Sequence, residues 1–169
     1  MLASVPSISF GLFGATFFAQ YLGLGTSLLT GGLTLAIMII PICAFSFEKV
    51  FRLLPTGFRN GAYALGASNG HFIFRMMIPA CTTEIITVVL LGAGRALAET
   101  AALVFASGYS NRMPESLLDP WRVLSVHIYD LAMNIPGGDR MASASSVLLT
   151  GLFLIISSAG LYFSRKSRL

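Results

Sequence analysis

Charge is what this chain has least of. Only 11% of its 169 residues are Asp, Glu, Lys or Arg, against about a quarter in an ordinary soluble domain. None occurs from Met1 to Phe47, and none from Met141 to Ser164. A water-soluble domain of this length needs a charged surface, so that class is excluded. Cysteine is scarce as well. Cys43 and Cys81 form no Cys-x-x-Cys pair and have no metal-ligand spacing, and they read as free packing thiols. The chain has no Gly-x-x-x-x-Gly-Lys-Ser/Thr phosphate loop, so it is not expected to bind or hydrolyse ATP itself. An enzyme acting within a membrane would need a nucleophile and base, or a metal cluster, inside the apolar runs. His71 and His127 both fall outside them. No nucleic-acid partner and no metal are expected.

What is present is apolar length. Hydrophobic residues make up 55% of the chain and the mean hydropathy is +0.79. A helix of about 20 apolar residues crosses about 30 Å of hydrocarbon. The pattern predicts an all-α, polytopic transmembrane bundle forming one domain over residues 1–169, with the lipid bilayer as its surroundings. Spans are expected at about 5–22, 28–47, 82–106 and 146–163. The first ends in the turn-prone Gly23-Leu24-Gly25-Thr26, and the second carries Pro41.

The basic residues of the loops set the orientation. Residues 48–80 hold Lys49, Arg52, Arg59 and Arg75 against Glu48 alone, and the tail holds Arg165, Lys166 and Arg168. The stretch after the third span holds Arg112, Arg122 and Arg140 against Glu115, Asp119, Asp130 and Asp139. The loop 48–80 and the tail are therefore expected in the cytoplasm, and the loop 107–143 outside. In the outer loop, Leu124, Ile128 and Leu131 recur at helical spacing beside Trp121 and Tyr129. That predicts an amphipathic helix at the interface with aromatic anchors, ended by Pro136-Gly137-Gly138. His127 and Asp130 read there as interface polar residues.

The cytoplasmic break is not a plain linker. Residues 59–80 read RNGAYALGASNGHFIFRMMIPA. Phe58, Ala62 and Leu65 fall at i, i+4 and i+7, on one face of a short helix. Gly66 is placed to cap its end and Ser68 or Asn69 to start the next. A short helix, a sharp turn and a second helix would make a compact docking knob.

These residues resemble the coupling loop of ABC-transporter permeases, which opens on Glu-Ala-Ala and has a glycine four positions after the second alanine. The block falls here on Asn60, Gly61 and Ala62, the glycine on Gly66, and the closing segment on Met76, Ile78 and Pro79. Asn60 stands where the family has glutamate, and Gly61 where it has the first alanine. The stretches VPSISFGLFG, LGTSLLTGGLTLAIMIIP, RLLPTGFRNGAYALGAS and GAGRALAETAALVF extend the resemblance over nearly the whole chain. They resemble the A-type permease of the bacterial phosphate-specific ABC importer.

The resemblance implies a type I importer permease in the bacterial cytoplasmic (inner) membrane, helping to form a route for inorganic phosphate. Its implied partners are a separate ABC ATPase that binds ATP and Mg, a second, C-type permease, and a periplasmic phosphate-binding protein. The coupling knob would sit on the ATPase. Family members have about six spans, and this chain corresponds to their last four, which implies that N-terminal spans are missing. A different oxyanion as cargo, or a remnant that binds partners without transporting, remain alternatives.

Three charges lie in or beside the expected third span: Glu84 near its cytoplasmic end, and Arg95 and Glu99 four residues apart. A charge at a helix centre costs about 2.5–3.5 kcal/mol on insertion scales, so it should face protein or water and be paired. An Arg95–Glu99 pair on one helical face meets that need. A guanidinium also matches phosphate oxygens as a planar fork. Arg95 is thus expected on the substrate route with Glu99 tuning it; a helix–helix ion pair is the alternative. Glu84 is a weaker candidate that could reach the interface.

Overall fold

The computed structural model describes residues 5–166, with side chains described as far as Tyr162. Every regular element among the described residues is helical. The helices are α1 (Ser7–Phe13), α2 (Leu28–Arg52), α3 (Thr56–Ala64), α4 (Asn69–His71), α5 (Ile78–Ala80), α6 (Thr82–Ala98), α7 (Ala101–Ala106), α8 (Leu124–Met133) and α9 (Asp139–Lys166). The helix continues past α1 as a π-helical stretch, Gly14–Tyr21, and past α4 as another, Phe72–Met77. Among the described residues, two helical stretches are long and apolar enough to cross a membrane: Leu28–Arg52 and Asp139–Tyr162. The segments Asn69–Ala80 and Thr82–Ala98 together would make a third, bent by 76°.

Contacts divide the chain into two compact units. One is drawn from Met1–Pro41 and Ala93–Leu154, the other from Ile42–Gly92 and Ile155–Leu169. In the first, α1 packs on α7. Their backbones come so close that a Cβ on Gly11 would stand 2.7 Å from the Ala102 Cα. Gly14 likewise abuts Thr34, and Gly31 lies against Ser107. Small residues at such crossings let helices gain dispersion contact where lipid supplies no hydrophobic drive. Ala102 and Ala106 are fully buried.

The polar groups of this core are satisfied locally. Ser27 caps α2: its Oγ accepts from the Thr30 amide at 3.2 Å. The Thr30 hydroxyl donates to the Gly25 carbonyl, and the Thr34 hydroxyl to the Thr30 carbonyl. The amide of Ser27, just before α2, donates to the Ala106 carbonyl at the end of α7, and the first α2 amides donate to loop carbonyls, Leu28 to Asp119 and Leu29 to Leu117. A helix start without such acceptors would leave buried amide donors unpaired. The loop is itself held by Asp119, whose carboxylate accepts from the Glu115 and Ser116 amides at 2.8 and 2.9 Å. Those two bonds hold its pKa below the usual carboxylate value.

The expected spans differ from the helices at their ends. The first is helical only over Ser7–Tyr21. The second runs on to Arg52, where Arg52 reaches back one turn to Glu48. The fourth begins earlier, at Asp139. The third is divided: α6 stops at Ala98 and α7 starts at Ala101. The outer-loop helix forms as α8, but its buried residues are Ser125, Val126 and Leu131, not the row 124, 128 and 131. Cys43 is half-buried and Cys81 buried, both as free thiols.

Candidate functional site

The docking-type knob lies wholly in the second unit. Helix α3 ends at Ala64, and Gly66 follows at φ +79°. The Ala67 amide donates to the Ala62 carbonyl at 3.1 Å and the Gly66 amide to the Tyr63 carbonyl at 3.0 Å. This paired closure needs a left-handed residue after the helix, and glycine takes that conformation without a Cβ clash. Two residues on, Ser68 Oγ accepts from the His71 amide at 3.3 Å and starts α4. The Tyr63 hydroxyl donates to Asn69 Oδ1 at 2.7 Å and ties the two arms together. Phe72, buried, fills the space between them, with ring centroids 6.4 Å from Phe58 and 5.7 Å from Tyr63.

The structure changes the expected face of this hairpin. Ala62 is buried at 3% exposure while Leu65 stands 88% exposed. Leu65 is the C-cap of α3, its amide donating to the Gly61 carbonyl, and its side chain is left uncovered where that of Ala62 is enclosed. Phe58 is 41% exposed and also leans on Phe72. The apolar surface presented outward is instead Leu65 with Phe74, which is 72% exposed. Asn60 and Gly61 are exposed, and nothing lies within 4 Å of a Cβ placed on Gly61. A cleft of about 470 Å³ brings together Ala62, Leu65, Gly66 and Met76, with His71 and Ser68. Ile78 and Pro79 are exposed in α5, outside that lining. Phe72 and Tyr63, the residues that hold the knob, escaped the sequence reading. The signal was an aromatic in each arm, Tyr63 and Phe72, flanking the Gly66 turn.

The three span charges are arranged differently from the expectation. Arg95 and Glu99 make no ion pair with one another. Helix α6 has ended before Glu99, so the spacing of four no longer puts both side chains on one face. Glu99 is buried and its Oε1 accepts from the Ala102 amide at 3.3 Å, capping α7. Its backbone carbonyl accepts from the buried Ser125 hydroxyl at 2.7 Å, which fastens α8 to the break. Arg95 is exposed in the last turn of α6, where a cation complements the helix dipole. Glu84 lies in the first turn of α6, half-buried, at the end a carboxylate favours.

A largely covered pair that the spacing did not announce sits in the first unit. Arg122 donates to Asp130, with side chains only 9% and 16% exposed. Asp130 also accepts from Asn134 Nδ2 at 2.8 Å. Arg122 lies just before α8 and Asp130 within it, eight residues apart. The legible signal was that these are the sole charges in residues 121–135. Arg122, His127 and Trp121 border an open cleft of about 310 Å³.

Residues 1–167 match the family described as the binding-protein-dependent transport system inner membrane component. The chain is 29% identical to a probable ABC transporter permease of Bacillus subtilis, over 94% of this chain and 59% of that protein. It is 33% identical to the phosphate transport system permease protein PstC of Haemophilus influenzae, over 98% of this chain and 59% of the relative. It is 31% identical to a PstA homolog of Mycoplasma genitalium, a phosphate transport system permease, over 92% of this chain and 25% of that protein. The chain thus spans well under two-thirds of the length of these relatives. No solved structure matches it.

Proposed function

This chain belongs to the family of binding-protein-dependent transport system inner membrane components, and we propose that it serves as a permease subunit of an ATP-driven importer of inorganic phosphate. The observation that carries the machine is the closed hairpin from Thr56 to Met77, with its Gly66 turn and outward Leu65 and Phe74. A rigid knob projecting apolar side chains is suited to a groove on an ATPase subunit. Its bend into α6 (76°) offers a lever from knob to span. A second permease and a periplasmic phosphate-binding protein complete the proposed assembly, with ATP and Mg on the ATPase.

Phosphate as cargo rests on the named relatives and on Arg95. Freed from Glu99 and exposed, its guanidinium can offer two parallel donors to an oxyanion. Glu99 takes a different role from the tuning partner first expected: its carboxylate caps α7 just past the end of α6. The test is phosphate uptake by an assembled importer carrying Arg95→Gln. A loss of uptake with ATPase binding retained supports Arg95 on the route; wild-type uptake removes it.

A further inference from the structure

The second unit also carries a larger cleft, lined from the end of α2 and the start of α3. It measures about 770 Å³, and its lining includes Phe47, Phe51, Phe72 and Met77 together with Glu48, Arg52 and Arg59. Its place along α2 is informative. From Leu28 the helix is free of charge up to Phe47, and Glu48, Lys49 and Arg52 follow within its last turns. The end of the hydrocarbon and the start of the headgroup layer therefore fall within the cleft itself. Its apolar wall lies where acyl chains would be, and its guanidinium groups lie where phosphates would be.

The charges suit an anion. Arg52 donates Nε and Nη2 to Glu48 Oε1, but both side chains are well exposed, so that pair is weak and screened. Arg59 faces the Tyr63 ring at 5.8 Å and, among the described residues, has no carboxylate partner within 4 Å. Arg52 and Arg59 against Glu48 thus leave the cleft with one net positive charge. Basic pockets at the cytoplasmic ends of spans recognise anionic headgroups by this combination.

We propose that this cleft binds the phosphodiester headgroup of an anionic phospholipid, held by Arg59 and Arg52, with an acyl chain against Phe47 and Phe51. The inference rests on α2 crossing the bilayer and not on the cargo. Lipid retention is read without any transport, so its failure and a failure of the phosphate reading are separable.

The test is native mass spectrometry of the full chain with its subunits, released from bilayers holding equal phosphatidylglycerol and phosphatidylcholine. One net basic charge at the surface predicts a roughly fivefold preference for phosphatidylglycerol. The Arg52→Gln/Arg59→Gln double variant should lose that preference, the double lysine variant should keep most of it, and Arg75→Gln, outside the cleft, should leave it unchanged. Equal retention of both lipids by the unaltered protein overturns the proposal, as does a preference that survives loss of both arginines. Displacement of the lipid by inorganic phosphate would make the cleft a free-phosphate site. Its displacement by the ATPase would make it part of a protein interface. Either result contradicts the lipid assignment.

Discussion

Each unit holds an ion pair among the described residues, and the two could hardly be placed more differently. Arg122–Asp130 is enclosed, with side-chain exposures of 9% and 16%; Arg52–Glu48 is open, at 78% and 55%. The same contrast runs through the packing. The first unit closes its helices over Gly11, Gly14 and Gly31 and returns its buried hydroxyls to nearby carbonyls. The second holds its hairpin with a few contacts around Phe72 and leaves Leu53, Leu65 and Phe74 outward. The second thus keeps apolar and cationic groups outward around its hairpin.

Substitutions can break that contrast, and the largest effect is expected at Arg122. Removing it leaves the largely covered Asp130 carboxylate with Asn134 as its side-chain donor among the described residues, and breaking a buried pair costs up to about 3–5 kcal/mol. Arg122→Ala should therefore lower the melting temperature of the detergent-solubilised protein sharply, and an unchanged melt would show the pair to be incidental. Gly11→Ala comes next. Its Cβ would meet the Ala102 backbone, which cannot swing aside as a side chain can, and overpacking costs about 1–3 kcal/mol. The same melting curve reads that loss. Arg52→Ala should sit at the bottom of the series, at under about 1 kcal/mol, because the exposed pair is solvent-screened. A large drop there would erase the distinction between the units.

Sequence reasoning reached the features that depend on short-range chemistry. The Gly66 cap and the Ser68 start follow from backbone needs that only a few residue types meet, and both form. The charge-free runs yielded the two long helices for the same reason. It failed where a helix was assumed to continue. The Arg95–Glu99 pair requires an unbroken helix, and α6 ends before Glu99; the Phe58–Ala62–Leu65 row reaches its last member only at the C-cap of α3, where Leu65 is left uncovered. Just past the break at Glu99, α7 packs closely on α1, with Gly11 against Ala102, a contact between residues distant in sequence. The Arg122–Asp130 pair was hidden similarly, because its eight-residue spacing crosses from loop into helix. The π-helical stretches left no periodic signature to read.

The central claim is that the hairpin of the second unit couples this permease to an ATPase. Leu65 is the residue to alter, since at 88% exposure its replacement should not disturb the fold. The decisive measurement is ATP-dependent phosphate uptake by proteoliposomes holding the complete importer with Leu65→Asp, beside the unaltered protein. The account predicts that uptake and ATPase retention both fall while the melting temperature of the permease is unchanged. Full uptake with the charged residue in place would contradict it.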